Sequence, residues 1–236
     1  MYFTNSNWRC TVTAEGKHYS ILNNIWVRLG GRVTKNTKRD VWVWTIHNKT
    51  SMIDLIHRVN GNIRNTIRVE QFKRLCEYHK IAYVPALPLL KDNAWIAGFF
   101  ETDGSISLVH NKSWNTYRIT ISFSNKYYDN LEHLMIFNGN IKFSTKVPML
   151  NSIPLKPSQY ITANDTGLDT TLDWHTSKES VIMELYNSIS PHIRGHKAIR
   201  INLIPQFYYL KNQRAYLPDH PMYHQWVTLI ESWNQY

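Results

Sequence analysis

The sequence predicts an α+β fold in which one structural unit occurs twice. Residues 8–13 and 117–122 both alternate apolar and polar side chains with a period of two, which is typical of a strand with one buried face. Each segment is followed by apolar residues at helical spacing and then by glycine, where a helix C-terminal cap is expected. Elements that recur in the same order indicate a duplicated α+β unit.

The remaining elements of the two copies can be matched in pairs. The first pair is a helix, residues 21–29 and 131–135, which ends at Gly30 with Gly31 in the first copy and at Gly139 in the second. A strand follows in each copy, at residues 41–46 and 172–175. Each copy then has a helix opened by a capping box, at Ser51 and at Thr176, and a closing helix, residues 69–78 and 198–203. We expect Pro205 to stop or kink the last of these helices, because proline lacks the N–H that a helix requires.

A segment containing two prolines separates the copies. Pro85 and Pro88 lie three residues apart in an otherwise apolar stretch, which disfavours a regular helix there. We therefore expect residues 1–82 to form an incomplete first repeat, residues 83–91 an extended connector, and residues 92–236 a complete second repeat.

Composition excludes several classes of protein. The chain has 236 residues, of which 43% are hydrophobic, so it can build one large or two small cores and is not mainly disordered. It has no run of about 18 apolar residues and no basic-then-apolar start, so we expect neither a membrane span nor secretion. The two isolated cysteines, Cys10 and Cys76, cannot form a disulfide framework or a four-ligand zinc site.

The charge is unevenly distributed along the chain. The formal net charge is +10, and residues 1–90 contain 14 Lys and Arg against 5 Asp and Glu, whereas residues 91–236 contain 13 against 12. A basic excess of this size favours a polyanionic partner, and the first repeat would supply most of the electrostatic attraction. Basicity for solubility alone is the alternative.

The segment after the connector predicts an unusual helix. It can begin at a cap formed by Asp92 or Asn93 and end at Gly104. Ala94, Ala97, Gly98 and Glu101 fall on one face, and three of these four residues are small enough for another helix to approach closely. A plain core helix with small residues under a loop is the alternative.

Two acids, Glu101 and Asp103, lie in the last turn of this helix. The helix dipole disfavours exposed anions there by roughly 0.3–1 kcal/mol each. A bound divalent cation would reverse this cost, and magnesium or calcium prefers such oxygen ligands. The alternative is a surface acid pair that tolerates the dipole.

Residues 95–105, Trp-Ile-Ala-Gly-Phe-Phe-Glu-Thr-Asp-Gly-Ser, resemble the signature helix of the LAGLIDADG homing endonucleases and related intron maturases. The resemblance implies αββαββα repeats, with two signature helices packed at a pseudo-two-fold interface and antiparallel sheets lying in the DNA major groove. It places Ala97, Gly98 and Glu101 at the helix interface.

The resemblance also implies an active centre. Asp103 takes the position of the catalytic, metal-binding acid, and the Thr102 carbonyl is a possible second ligand to Mg²⁺. Lys197, in the segment 193–197, resembles the basic residue that the family places near its centre, where it would stabilise charge or position water. The implied reaction is metal-dependent hydrolysis of both strands of double-stranded DNA.

Alternating polar positions form the predicted nucleic-acid surface. In the strands, the side chains opposite the buried face suit base edges and phosphates, and a basic loop would bind phosphate; ordinary solvated strand exterior is the alternative. The strand residues are Arg9, Thr11, Thr13, Arg118, Thr120, Ser122 and Ser124, and the loop residues are Arg32, Lys35, Lys38 and Arg39.

The first repeat departs from the family pattern. Residues 1–7 are too few to contain a signature helix, and Ile67 stands where the second repeat has Lys197. We therefore expect an upstream segment or a second chain to supply the missing helix, unless activity is lost.

The favoured function is that of an intron-encoded, site-specific DNA endonuclease in intron homing. The alternatives are an RNA maturase that assists splicing of a group I intron, and a catalytically inactive remnant. We expect no membrane partner. The family resemblance and the abundance of Asn, Ile, Lys and Tyr, which is typical of AT-rich genomes, predict a mitochondrial location.

Overall fold

The computed structural model describes residues 2–4, 9–144, 149–150, 153–154 and 171–235. The chain divides into two compact units, Met1–Pro88 and Leu89–Tyr236, and the boundary falls inside the segment expected to connect the repeats. In the described ranges, no helix is long and apolar enough to cross a membrane.

In its described residues, the first unit is an antiparallel sheet with three α-helices. The strands are β1 (Tyr2–Thr4), β2 (Arg9–Glu15), β3 (Arg32–Asn36) and β4 (Val41–Ile46), in the order β1-β2-β4-β3, and the helices are α1 (Tyr19–Leu29), α2 (Lys49–Val59) and α3 (Thr66–Tyr78). Trp44, Ile46 and Phe72 are fully buried between them, together with Cys10 and Cys76, which are free thiols. Strand β4 spans the residues that the sequence predicts for it.

Short-range chemistry sets the ends of these helices. Asn48 and Asn65 cap α2 and α3, because their side chains accept hydrogen bonds from the backbone N–H groups of Ser51 and Arg68. The predicted capping box at Ser51 was therefore wrong by three residues. At the second predicted box, Glu179 begins its helix without a side-chain cap.

We expect Gly31→Ala to destabilise the first unit by more than about 1 kcal/mol. Gly31 has a φ of +87°, and an added Cβ would lie 2.6 Å from the carbonyl oxygen of Thr45. Equilibrium denaturation would measure the loss. Gly16→Ala is the control, because a Cβ at Gly16 meets nothing within 4 Å; equal effects of the two changes would contradict the steric argument.

The second unit repeats the sheet order of the first. Its strands β5 (Gly104–Asn111), β6 (Thr116–Asn125), β7 (Asn140–Phe143) and β10 (Leu172–Thr176) lie in the order β5-β6-β10-β7, and β8 (Met149–Leu150) pairs with β9 (Ile153–Pro154). Thus β1, β2, β4 and β3 correspond in position to β5, β6, β10 and β7. Strand β1 was not predicted; it occupies part of the segment that is too short for a signature helix.

Helices cover one face of the second sheet. They are α4 (Trp95–Asp103), α5 (Tyr128–Glu132), α6 (Glu179–Ile189), α7 (Ala198–Asn202), α8 (Ile204–Asn212) and α9 (Tyr223–Asn234). Ile121, Phe123 and Trp174 from the strands are fully buried beneath them. The helix before Pro205, α7, ends at Asn202, as predicted, and Pro205 lies in the first turn of the next helix, α8. Helix α9 was not predicted from the sequence.

Candidate functional site

The candidate site lies where helix α4 passes directly into strand β5. Ile96, Phe99 and Phe100 bury one side of the helix, and Gly104 begins the strand without an intervening loop. A side chain at Gly104 would overlap Phe100, so only glycine fits this sharp junction. The junction places the carboxylate of Asp103 at the end of the helix and beside the edge strand of the sheet.

Asp103 is half-buried and hydrogen-bonded. Its Oδ2 accepts a hydrogen bond of 2.7 Å from Nδ2 of Asn125, the last residue of β6. In the parts of the chain that the structure describes, no three His, Cys, Asp or Glu side chains form a metal-binding group. The donors at the junction are the Asp103 carboxylate and the backbone carbonyl of Thr102. These hard oxygen donors fit Mg²⁺, which typically binds one or two carboxylates and completes its coordination with water and substrate phosphate.

Lys197 caps the C-terminus of α4. Its Nζ donates to the backbone carbonyl oxygens of Phe100 (2.9 Å), Glu101 (2.9 Å) and Gly104 (2.7 Å). These acceptors match the three N–H donors of an ammonium group, and a cation at this end of a helix also offsets the dipole. From the sequence, Lys197 was predicted near Asp103 as a group that stabilises charge or positions water, and that role stays a prediction.

Glu101 holds the loop that carries Lys197. Its Oε1 accepts from the backbone N–H groups of Arg194 (3.1 Å) and Gly195 (2.5 Å). A Cβ at Gly195 would overlap this carboxylate, which explains the glycine. The interaction joins residues more than 90 positions apart, so no local pattern could have predicted it.

The predicted helix interface needs correction. Ala97 is buried in the core of its own unit and Glu101 binds the 194–195 loop, so neither presents its side chain to a second helix. Gly98 is exposed, as are Ala94 and Thr102, at a spacing of four residues. The exposed small-residue face of α4 therefore includes Gly98 but not Ala97 or Glu101, because Ala97 packs in the core and Glu101 binds the 194–195 loop.

The polar face of the second sheet adjoins the junction. Strand β6 buries Ile119, Ile121 and Phe123 and turns its even-numbered positions to the other face, as predicted. That face carries Arg118, Thr120, Ser122 and Ser124 from β6, and the strand register adds Ser105, Ser107, Asn140, Lys142, Asp173 and His175. The added residues were not predicted from the sequence, although β10 shows the same alternation of buried and less buried positions.

A small cleft lies at the start of β5. Its lining is partly basic and consists of Gly104, Ser105, Ile106, His196, Lys197 and Arg200. Arg200 also donates through Nε to the backbone carbonyl of Trp233 (3.1 Å), which fixes its side chain. The cleft places positive charge next to the Asp103 junction.

The first unit keeps part of its predicted polar face. Arg9 and Thr13 are exposed, but Thr11 is only 3% exposed. Thr11 has a strand on both sides, since it pairs with Tyr2 of β1 and with Thr45 of β4, whereas β1 does not extend to Thr13. Thr11 was therefore wrongly assigned to the nucleic-acid surface.

The predicted basic loop is a β-hairpin. Arg32 and Lys35 lie in β3, and Lys38 and Arg39 lie in the turn before β4. In the strand register Arg32 shares a face with Thr45, whereas Lys35 pairs with Trp42 on the opposite face and forms a 3.0 Å ion pair with Asp40. The four cations thus do not form one patch, because strand geometry separates Arg32 from Lys35.

Several intron-encoded proteins are similar to this chain in sequence. It is 31% identical over 231 residues, 95% of its length, to the intron-encoded RNA maturase bI4 of Saccharomyces cerevisiae, and the match covers 33% of that protein. It is 24% identical to the probable intron-encoded endonuclease aI2 of Debaryomyces hansenii, over 98% of this chain and 35% of that protein. The intron-encoded DNA endonuclease ai2b of Dictyostelium discoideum is 27% identical, over 92% of this chain and 76% of that protein. The chain spans about a third of the length of the first two relatives.

Solved LAGLIDADG structures share the fold. The meganuclease I-AabMI bound to uncleaved DNA aligns with a TM-score of 0.62 at 14% identity, over 90% of this chain and 87% of that chain. The homing endonuclease I-GzeII in complex with its DNA target aligns with a TM-score of 0.60 at 12% identity, over 96% and 89%. I-SmaMI, bound to an uncleaved DNA target in the presence of calcium ions, aligns with a TM-score of 0.55 at 13% identity, over 96% of this chain and 87% of that chain. No family model matches the chain.

Proposed function

We propose that this chain, which has the LAGLIDADG homing-endonuclease fold and is homologous to intron-encoded maturases and endonucleases, is an intron-encoded DNA endonuclease. It binds double-stranded DNA on the polar faces of its sheets and hydrolyses a phosphodiester beside Asp103. The position of Asp103, a carboxylate at the end of α4 next to the polar sheet face, carries this proposal.

The residues at the junction and on the polar sheet face have different roles in the proposed cleavage. Asp103 and the Thr102 carbonyl would hold Mg²⁺, which supplies polarisation of the phosphate and neutralises charge on the leaving oxygen. Lys197 holds the carbonyls at the end of α4, so that the carboxylate stays at the edge of the sheet. Arg118 and Lys142 contribute positive charge for phosphate contacts, and the Ser and Thr side chains reach base edges.

A double-strand cut needs a second centre. The first repeat, residues 1–82, has Ile67 where the second repeat, residues 92–236, has Lys197. We propose that a segment encoded upstream or a second chain supplies the other signature helix and its acid. Because the relatives are intron-encoded and the composition resembles products of AT-rich genomes, we also propose a mitochondrial location.

An RNA maturase is the second candidate. The relative with 31% identity over 95% of the chain is a maturase. The first repeat, which is the more basic one, has Ile67 at the position of Lys197. Binding to a group I intron RNA depends on charge and shape and requires no hydrolytic metal. Both candidates use the same polar surface, so its chemistry does not separate them.

Cleavage and splicing assays separate the two functions. The endonuclease is supported if the chain, with Mg²⁺, cuts DNA that spans the intronless site and Asp103→Asn abolishes the cut. The maturase is supported if the chain promotes splicing of the intron RNA and Asp103→Asn leaves splicing unchanged. Failure of both assays, with nucleic-acid binding retained, would indicate an inactive remnant.

Binding to nucleic acid should depend steeply on salt. If the basic side chains neutralise six or more phosphates, affinity should fall by about a thousandfold between 50 and 200 mM salt, because counterions are released on binding. Fluorescence anisotropy with a labelled duplex measures this slope. A flat response over that range would contradict a phosphate-binding surface.

A further inference from the structure

We propose that Asn125, held in place by Asn130, is a positioning residue that orients the Asp103 carboxylate toward a divalent cation. This inference rests on the proposed function, since it concerns the same centre. Neither asparagine belongs to the signature helix: Asn125 ends β6, and Asn130 lies in α5.

Three hydrogen bonds fix the amide of Asn125. Its Oδ1 accepts from the backbone N–H of Tyr127 (3.0 Å) and from Nδ2 of Asn130 (2.9 Å). Its Nδ2 donates to Oδ2 of Asp103 at 2.7 Å. The three bonds form a continuous path from the interior of the unit to the junction between α4 and β5.

The network permits only one orientation of the Asn125 amide. A flipped amide would turn its NH₂ group toward two N–H donors and its oxygen toward the carboxylate, and all of these contacts are repulsive. Asn130 enforces the choice because it is fully buried, with 0% exposure, and a buried amide must keep its hydrogen bonds. The donor that faces Asp103 is therefore set from inside the unit.

One oxygen of Asp103 is thereby fixed and the other is left for a ligand. Rotation of the carboxylate would break the bond from Asn125, and among the described residues Oδ1 has no hydrogen-bond partner. Asn125 thus corresponds to the hydrogen-bond partner that orients a metal-binding carboxylate in other metal sites. Loss of such a partner typically weakens metal affinity or activity by roughly 10- to 100-fold.

Titration with Mn²⁺ tests the proposal. The full chain is titrated with and without a duplex of the intronless target site, and free Mn²⁺ is measured by electron paramagnetic resonance. We expect Asn125→Ala to weaken Mn²⁺ binding by roughly 10- to 100-fold and Asn130→Leu to weaken it less. The double variant should lose no more than Asn125→Ala alone, because Asn130 acts through Asn125. Asn212→Ala is the matched control, since it removes an exposed amide of the same unit.

A second measurement needs neither metal nor a core substitution. In the metal-free chain, the side-chain NH₂ resonances of Asn125 in a ¹⁵N correlation spectrum should shift when Asp103 becomes Asn, whereas those of Asn212 should not. This measurement decides the matter if the asparagine variants fail to fold. Unchanged Asn125 resonances would overturn the proposed contact.

The outcomes distinguish this inference from the proposed function. If Asn125→Ala binds Mn²⁺ like the wild type while Asp103→Asn does not, the positioning role is wrong and the metal centre stands. If Asp103→Asn binds Mn²⁺ and cuts DNA like the wild type, Asp103 is not the metal ligand and the inference fails. If the wild-type chain neither binds Mn²⁺ nor cuts DNA, the proposed function fails and the inference fails with it. Equal losses in Asn125→Ala and Asn212→Ala would also overturn the positioning role.

Discussion

Asp103→Asn should lower DNA cleavage by roughly 100- to 1000-fold and leave the protein folded. Loss of the carboxylate removes the charged ligand of the proposed cation, whose stabilisation of the transition state amounts to several kcal/mol, and each 1.36 kcal/mol corresponds to a factor of ten. Stability should change little, because Asn keeps a side-chain oxygen that can accept from Asn125. Removal of a negative charge from the C-terminal end of a helix slightly stabilises the fold, because the helix dipole disfavours anions there.

Single-turnover cleavage and thermal unfolding measure the two parts of this prediction. Asp173→Asn is the control, since Asp173 is an acid on the same sheet face that accepts a hydrogen bond from Ser124. It should alter DNA affinity without abolishing the chemical step. Cleavage by Asp103→Asn at the wild-type rate would exclude Asp103 as a metal ligand.

Lys197→Met should destabilise the protein by about 2–4 kcal/mol. The variant keeps most of the aliphatic chain but leaves the carbonyls of Phe100, Glu101 and Gly104 without their donor. Hydrogen bonds to a charged group contribute about 1.5–3 kcal/mol each, and water can replace part of this because Lys197 is half-buried. Cleavage should fall as well, since the end of α4 that carries Asp103 loses its support.

Chemical denaturation and cleavage together test this role. Lys91→Met is the matched control, because Lys91 forms an exposed ion pair with Glu184 and should contribute less than about 1 kcal/mol. If Lys197→Met is as stable as the wild type but no longer cleaves, Lys197 acts on the reaction directly and the capping role is wrong.

Much of the fold could be predicted from periodicity. Strand β4 and the buried positions of β6 follow directly from alternating or continuous apolar residues, because side chains of a strand point to opposite faces. The end of α1 follows from Gly30, whose φ of +67° disfavours other residues. These features depend on interactions within a few residues, which a single sequence displays.

Predictions of side-chain environment were less reliable. Thr11 follows the alternation of an exposed strand position, yet β1 pairs beside it and it is buried. Lys35 was grouped with Arg32 by its proximity in sequence, although the strand places the two on opposite faces. A strand position becomes exposed or buried according to its neighbouring strands, which the local pattern does not specify.

The sequence by itself determined the two repeats, the acid at the end of α4 and the polar alternation of β6. Local sterics and side-chain periodicity specify all three. Only the tertiary structure decided that Lys197 caps α4, that Glu101 anchors the 194–195 loop and that Asn125 faces Asp103. These contacts join residues between 22 and 97 positions apart, and such pairs meet only when the sheet and its helices have packed.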